Sequence, residues 1–117
     1  MSFDLAFWHA SEDTDAARAA EIYRGLIEEK SGLVPDAPAV RTFHEQVISV
    51  YPDLTSESTD EDVENSPWMS ELFTGPGFLI AAVSWSRSAE VASTLIALAK
   101  RNGLICYDPQ ANLVIRS

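Results

Sequence analysis

Residues 2–9 read SFDLAFWH. Phe3, Leu5 and Phe7 alternate with Asp4, Ala6 and Trp8, and this period of two with aromatics predicts a β-strand. One face of that strand is wholly apolar. The other mixes an aspartate, an alanine and a tryptophan, and its reading decides the fold. Either that face is open to solvent, a ligand or a second subunit, or Trp8 packs within a core.

Outward from this strand the chain is well punctuated. Ser11–Asp15 offers several N-cap candidates for a helix whose stripe is Ala16, Ala19, Ala20, Tyr23, Leu26 and Ile27. Gly32 suits its left-handed stop, with Leu33 folding back on the last turn. Asp36 and Pro38 look like the cap and first turn of a second helix carrying Val40, Phe43, Val47 and Val50, which Pro52 ends. Residues 53–67 are polar, acidic and without periodicity, which predicts an exposed loop. Trp68–Phe73 is a strand candidate, and Gly75-Pro76-Gly77 signals a turn. Phe78–Trp85 is a near-continuous apolar run, as for a central strand covered on at least one face.

Ser86 or Ser88 is placed to cap a third helix with Ala89, Ala92, Leu95, Ile96 and Ala99 on its buried stripe. Lys100 and Arg101 suit the negative end of that helix. Asn102-Gly103 supplies the positive φ that a helix C-terminus needs. Leu104–Tyr107 is then a strand, Asp108-Pro109 a turn and Leu113–Arg116 a short returning strand. With the first two helices as one crossover layer, the order is β-α-β-β-α-β. This predicts a single α+β domain over residues 1–117, a ferredoxin-like split sandwich. Strands one and three are expected side by side and parallel, with the helices on one face and the Asp4, Ala6, Trp8 face open.

The totals restrict the function classes. Apolar residues make up 46% of the 117 positions, enough for a core without staples. The single Cys106 excludes an internal disulfide framework and a multi-cysteine metal site, and its apolar neighbours predict a buried, inert thiol. The N-terminus lacks the basic region of a signal peptide, and the longest apolar run, Phe78–Val83, is too short to span a bilayer, so a cytoplasmic location is expected. Net charge is −10. Between Arg41 and Arg87 there is no Lys or Arg, and Glu45, Asp53, Glu57, Asp60, Glu61, Asp62, Glu64 and Glu71 contribute eight of those ten charges. Such a field repels nucleic acid and anionic membranes and attracts cations or a basic protein; it also serves as plain solvation.

Several residues bear on chemistry. Asp60, Asp62, Glu64 and Glu71 fall at positions one, three, five and twelve of a calcium-loop template. Asn65 stands where the template has glycine, and Pro67 removes an N–H, so no specific metal or cofactor is expected. His9, Trp85 and Asp108 are candidates to line a small-molecule pocket between sheet and helices. No nucleophile-elbow or phosphate-loop motif is present, and no catalytic residue is assigned. Asp108 reads better as a turn former than as an acid. His44 and Glu45 are adjacent on a helix and do not face each other. Trp8, Trp68 and Trp85 are either core or an aromatic patch. On the second reading Trp8 and Trp68, with Asp60, Glu61, Asp62 and Glu64, form a surface for a basic protein partner, and the open sheet face serves a homodimer.

SFDLAFW, YPDL, SPW, SRSAEV and NGLICYDPQ occur in one order along the chain. Together they resemble a family of small uncharacterised actinobacterial proteins ending in a Gly-Leu-x-x-Tyr-Asp-Pro-Gln motif. The resemblance spans most of the chain and implies no activity. In size, charge and fold style the chain is also similar to immunity proteins of bacterial toxin systems, an analogy that implies a protein-binding inhibitor of a basic toxin or nuclease.

Overall fold

The computed structural model describes residues 2–10, 14–55 and 57–116. It is an α+β fold with a five-stranded antiparallel sheet and four α-helices among those residues. The strands are β1 (Ser2–Trp8), β2 (Phe73–Gly75), β3 (Phe78–Ser84), β4 (Ile105–Asp108) and β5 (Leu113–Ile115), in lateral order β2-β3-β1-β4-β5. The helices are α1 (Ala16–Ile27), α2 (Pro38–Val50), α3 (Asp60–Asn65) and α4 (Ser88–Arg101), the last preceded by a 3-10 turn over Trp85–Arg87.

β1 is the central strand and is buried on both faces: Leu5, Ala6, Phe7 and Trp8 are each at most 1% exposed. Leu5 and Phe7 face a core built with Val40, Phe43 and Val47 of α2 and Val91, Leu95 and Ala99 of α4. The Phe7 and Phe43 rings are 4.8 Å apart. Ala6 and Trp8 face a second core made with Ala19, Ile22 and Leu26 of α1, Ile80 of β3, and Ile105 and Tyr107 of β4. Helices therefore cover both sides of the sheet. This corrects the expectation of an open Asp4, Ala6, Trp8 face, and with it the proposed homodimer surface.

The cause lies in the neighbouring strands. Ala6 pairs with Ile80 and Tyr107, and Trp8 with Phe78 and Ile105, so the face is apolar across three strands. An apolar area of that extent is rarely left exposed, and α1 folds over it. Only the Asp4 end stays partly open. There burial raises the pKa of the Tyr23 phenol, with smaller contributions from Asp4 and Tyr107.

β1 and β3 lie side by side as expected, but they are antiparallel, from Ser2 opposite Ser84 to Trp8 opposite Phe78. β2 is antiparallel to β3 and hence parallel to β1 across it. The parallel central pair is thereby corrected. The short C-terminal strand expected over Leu113–Arg116 is present as β5, whereas the two-sided helical cover departs from the one-sided sandwich expected.

Local signals explain most boundaries. Asp15 caps α1, accepting from the Arg18 N–H at 2.8 Å; of the other residues in the cap range, Ser11, Glu12 and Asp13 lie outside the described residues and Thr14 precedes the cap. The α1 stripe is rotated from the expected one, with Ile22 and Gly25 inside and Ile27 exposed. The helix ends at Ile27 with Glu28 as its C-cap, and Glu29, with a φ of 60°, takes the left-handed position before Gly32 is reached. Leu33 does fold back: a Cβ on Gly25 would lie 2.3 Å from its Cδ1. Ala37, rather than Asp36, occupies the N-cap of α2, with Pro38 in its first turn. Arg87 occupies that of α4, and the Ser88 hydroxyl bonds the Trp85 carbonyl instead of capping the helix. Gly103 has φ 69° and ends α4 as expected.

Replacing Trp8 by alanine removes a ring sealed between β4 and α1. Trp8→Ala is expected to cost about 3–5 kcal/mol of unfolding free energy in a urea titration, as for a large core truncation. A cost below about 1 kcal/mol, as for a surface residue, contradicts the two-sided burial.

Candidate functional site

The acidic segment is not a featureless loop. Thr59 caps α3 through its hydroxyl, which accepts from the Asp62 N–H at 3.1 Å, while the Asp62 carboxylate accepts from the Thr59 N–H at 2.9 Å. Two otherwise orphaned donors are satisfied reciprocally. Asp60, Glu61 and Asp62 occupy the first turn, the electropositive end of the helix. Helical backbone over Asp60–Asn65 is incompatible with the calcium-loop geometry considered above. No group of three or more His, Cys, Asp or Glu side chains among the described residues is arranged to hold a metal ion.

Trp68 pins this segment to the core. It is 1% exposed, and its indole N–H lies 3.2 Å from the Tyr51 carbonyl and 3.1 Å from that of Pro52. Its ring meets Tyr51 nearly edge to face, 5.9 Å between centroids. Asp53 adds a second tie by accepting from the Leu72 N–H at 3.0 Å. Trp68 makes a single bridge to Val83, and the strand expected over Trp68–Phe73 is reduced to β2, which starts at Phe73. As partner-binding residues, Trp8 and Trp68 are corrected: both rings are interior and offer no contact surface.

The exposed aromatic is Trp85, 47% accessible, whose ring meets Phe3 edge to face at 5.2 Å. Residues 65–69 run beside it. The Ser84 N–H donates to the Pro67 carbonyl at 2.7 Å, and the Met69 N–H to the Ala82 carbonyl at 2.8 Å. Arg87 closes the same corner. It donates to the Asn65 carbonyl and to Glu90, each at 3.2 Å, and sits 5.8 Å above the Tyr51 ring. That Arg87 hydrogen bond, followed by one from the Tyr51 hydroxyl, holds the exposed Glu90 carboxyl below its ordinary pKa. A groove of about 500 Å³ runs between the end of α2 and α3, lined by Tyr51, Asp53, Asp62, Asn65 and Arg87. Val63 and Met69 are exposed apolar residues of the same segment.

The alternative pocket at His9, Trp85 and Asp108 does not form. Because β1 and β3 are antiparallel, His9 follows the Trp8–Phe78 end of the pair while Trp85 follows the Ser2–Ser84 end, about 20 Å away at the rise of a strand. Asp108 belongs to a turn. Its Oδ1 accepts from the Gln110 N–H at 2.9 Å, the Ala111 N–H at 3.3 Å and the Gln110 side-chain amide at 2.6 Å. Gln110 in turn bonds both backbone groups of Asp4, prolonging the β1 ladder beyond β4. His44 is half-buried on α2, in a shallow groove beside Arg41 and Thr74.

Cys106 is 1% exposed, and burial, with a smaller contribution from Asp108, pushes its thiol up to about 12. It is not a nucleophile at neutral pH. Since the folded pKa lies above the ordinary thiol value of 9.0, the unfolded chain loses this proton first. The thiol's contribution is therefore intact below pH 9 and is lost as pH rises toward 12. Urea titrations across that range are expected to show wild type losing stability relative to Cys106→Val at up to about 1.4 kcal/mol per pH unit. Parallel pH profiles for the two proteins contradict the buried thiol.

The chain matches no known family model, no curated protein and no solved structure, so the surface of α3, residues 65–69 and Trp85 is what the functional reading rests on.

Proposed function

We propose that this chain is a protein-binding module for a basic partner, acting as an acidic inhibitor of the immunity-protein kind against a basic toxin or nuclease. The observation that carries this reading is Trp85, a large ring left about half exposed on the 3-10 turn whose Arg87 bonds the carbonyl of Asn65 at the end of α3, a helix with three acidic residues in its first turn. Interfaces draw most of their affinity from a few aromatic anchors, while charges around them steer the encounter. The α3 segment is held from below by Trp68 and Asp53, so its carboxylates are presented on an ordered support. Binding then orders little backbone, which lowers its entropic cost. The field of the acidic segment disfavours nucleic acid itself as the partner.

We also read β1, α2, β2, β3, α4 and β4 as a split β-α-β-β-α-β core of the ferredoxin-like kind. The lateral order β2-β3-β1-β4 and the packing of α2 and α4 into one core support this reading, with α1 and β5 lying outside it.

Affinity capture from lysate of the source cells tests the function. Wild type is expected to retain a basic protein, with retention falling as salt is raised. Trp85→Ala is expected to reduce affinity roughly thirtyfold, as for an interface anchor worth about 2 kcal/mol. The triple variant Asp60→Asn, Glu61→Gln, Glu64→Gln, which leaves the Asp62 cap intact, is expected to slow capture chiefly through the association rate. Retention of the same protein at the same level by both variants removes the proposed surface.

A further inference from the structure

A cleft of about 310 Å³, sharing no lining residue with the groove beside α3, opens between the connection that follows α1 and the β2–β3 turn. Its floor is apolar: Leu26, Leu33, Phe73 and Phe78, with the two phenyl rings edge to face at 5.2 Å. Its walls are joined at the base. The Ala37 N–H donates to the Pro76 carbonyl at 3.1 Å, and the Gly77 backbone lies so close to Pro35 that a Cβ there would be 2.2 Å from its carbonyl oxygen. The cleft is thus built into the fold, and its volume lies at the lower end of ligand sites.

The rim carries Glu29, Lys30 and Asp36. Lys30 is already engaged with Glu28 at 3.2 Å. The Glu29 and Asp36 carboxylates are exposed and form no ion pair or side-chain hydrogen bond among the described residues. An apolar floor with aromatic rings beneath two free carboxylates matches a ligand with an apolar body and a positive head. The chain's net charge of −10 disfavours an anion in the same place.

We propose that this cleft binds a small organic cation, an aromatic or aliphatic body carrying an ammonium group. The body lies on Phe73, Phe78 and Leu33, and the ammonium reaches Glu29 and Asp36. The site is separate from the Trp85 surface and does not depend on the protein-binding reading.

The test uses two probes of similar apolar body and opposite charge, 2-phenylethylamine and 3-phenylpropanoate, titrated into ¹⁵N-labelled protein at low ionic strength. The amine is expected to shift the backbone amides of Gly32, Gly75, Gly77 and Phe78 saturably, and the carboxylate to leave them in place. The double variant Glu29→Gln, Asp36→Asn, altered only at the surface, is expected to keep its melting temperature and weaken the amine about fivefold, the size of two exposed ion pairs. Asp60→Asn with Glu64→Gln is expected to leave amine affinity unchanged. Equal shifts from both probes, unchanged affinity in the Glu29/Asp36 variant, or shifts confined to α3 each overturn the proposal.

Discussion

The architecture depends on one strand with two dry faces. Leu5 and Phe7 join the core under α2 and α4, and Ala6 and Trp8 join the core under α1. A strand buried on both sides needs neighbours on both edges to satisfy its backbone, and β3 and β4 supply them. Where β4 ends, the Gln110 side chain takes over at Asp4. The two helical layers follow from the same constraint, because each face of β1 presents bulk that water cannot be left to cover. The antiparallel β1–β3 pair then sends His9 and Trp85 to opposite ends of the sheet, which is why they share no site.

Much of this was legible in the sequence at the level of elements and turns. The first strand, the three longer helices, the Asn102-Gly103 stop, the buried Cys106 and the Asp108-Pro109 turn are local matters. Short-range chemistry decides them. What failed was non-local. Strand alternation places Ala6 and Trp8 on one face, but whether that face is covered depends on Ile80, Ile105 and Tyr107, which reach it only through pairing. The apolar run of β3, read as cover on at least one face, is packed on both, with Leu79, Ala81 and Val83 in one core and Ile80 in the other.

The acidic segment was misread for another reason. Its charge drew attention to cation chemistry, while Thr59 and Asp62, three apart, spelled a capping box and hence a helix start. Trp68 was legible as a tryptophan needing a partner for its N–H, yet only the structure supplies the Tyr51 and Pro52 carbonyls. Of the three tryptophans, the one left outside is Trp85, beside a corner held by Arg87. From the sequence, Trp8 and Trp68 fall on the contact surface and Trp85 in a pocket, the reverse of their burial, since each sits in an apolar or turn-rich context that fits either role. With Trp8 and Trp68 committed to the two cores, Trp85 is the tryptophan left for the proposed protein-binding surface.

That division of labour among the tryptophans is the central claim, and ¹⁹F spectroscopy of the protein labelled with 5-fluorotryptophan reads it directly. Each ring gives one resonance, assigned by Trp→Phe replacement, and transfer from H₂O to D₂O moves only those in contact with solvent. The account predicts a solvent shift for Trp85 and none for Trp8 or Trp68. A solvent-shifted Trp8 resonance contradicts the two-sided burial of β1, and a silent Trp85 removes the exposed anchor.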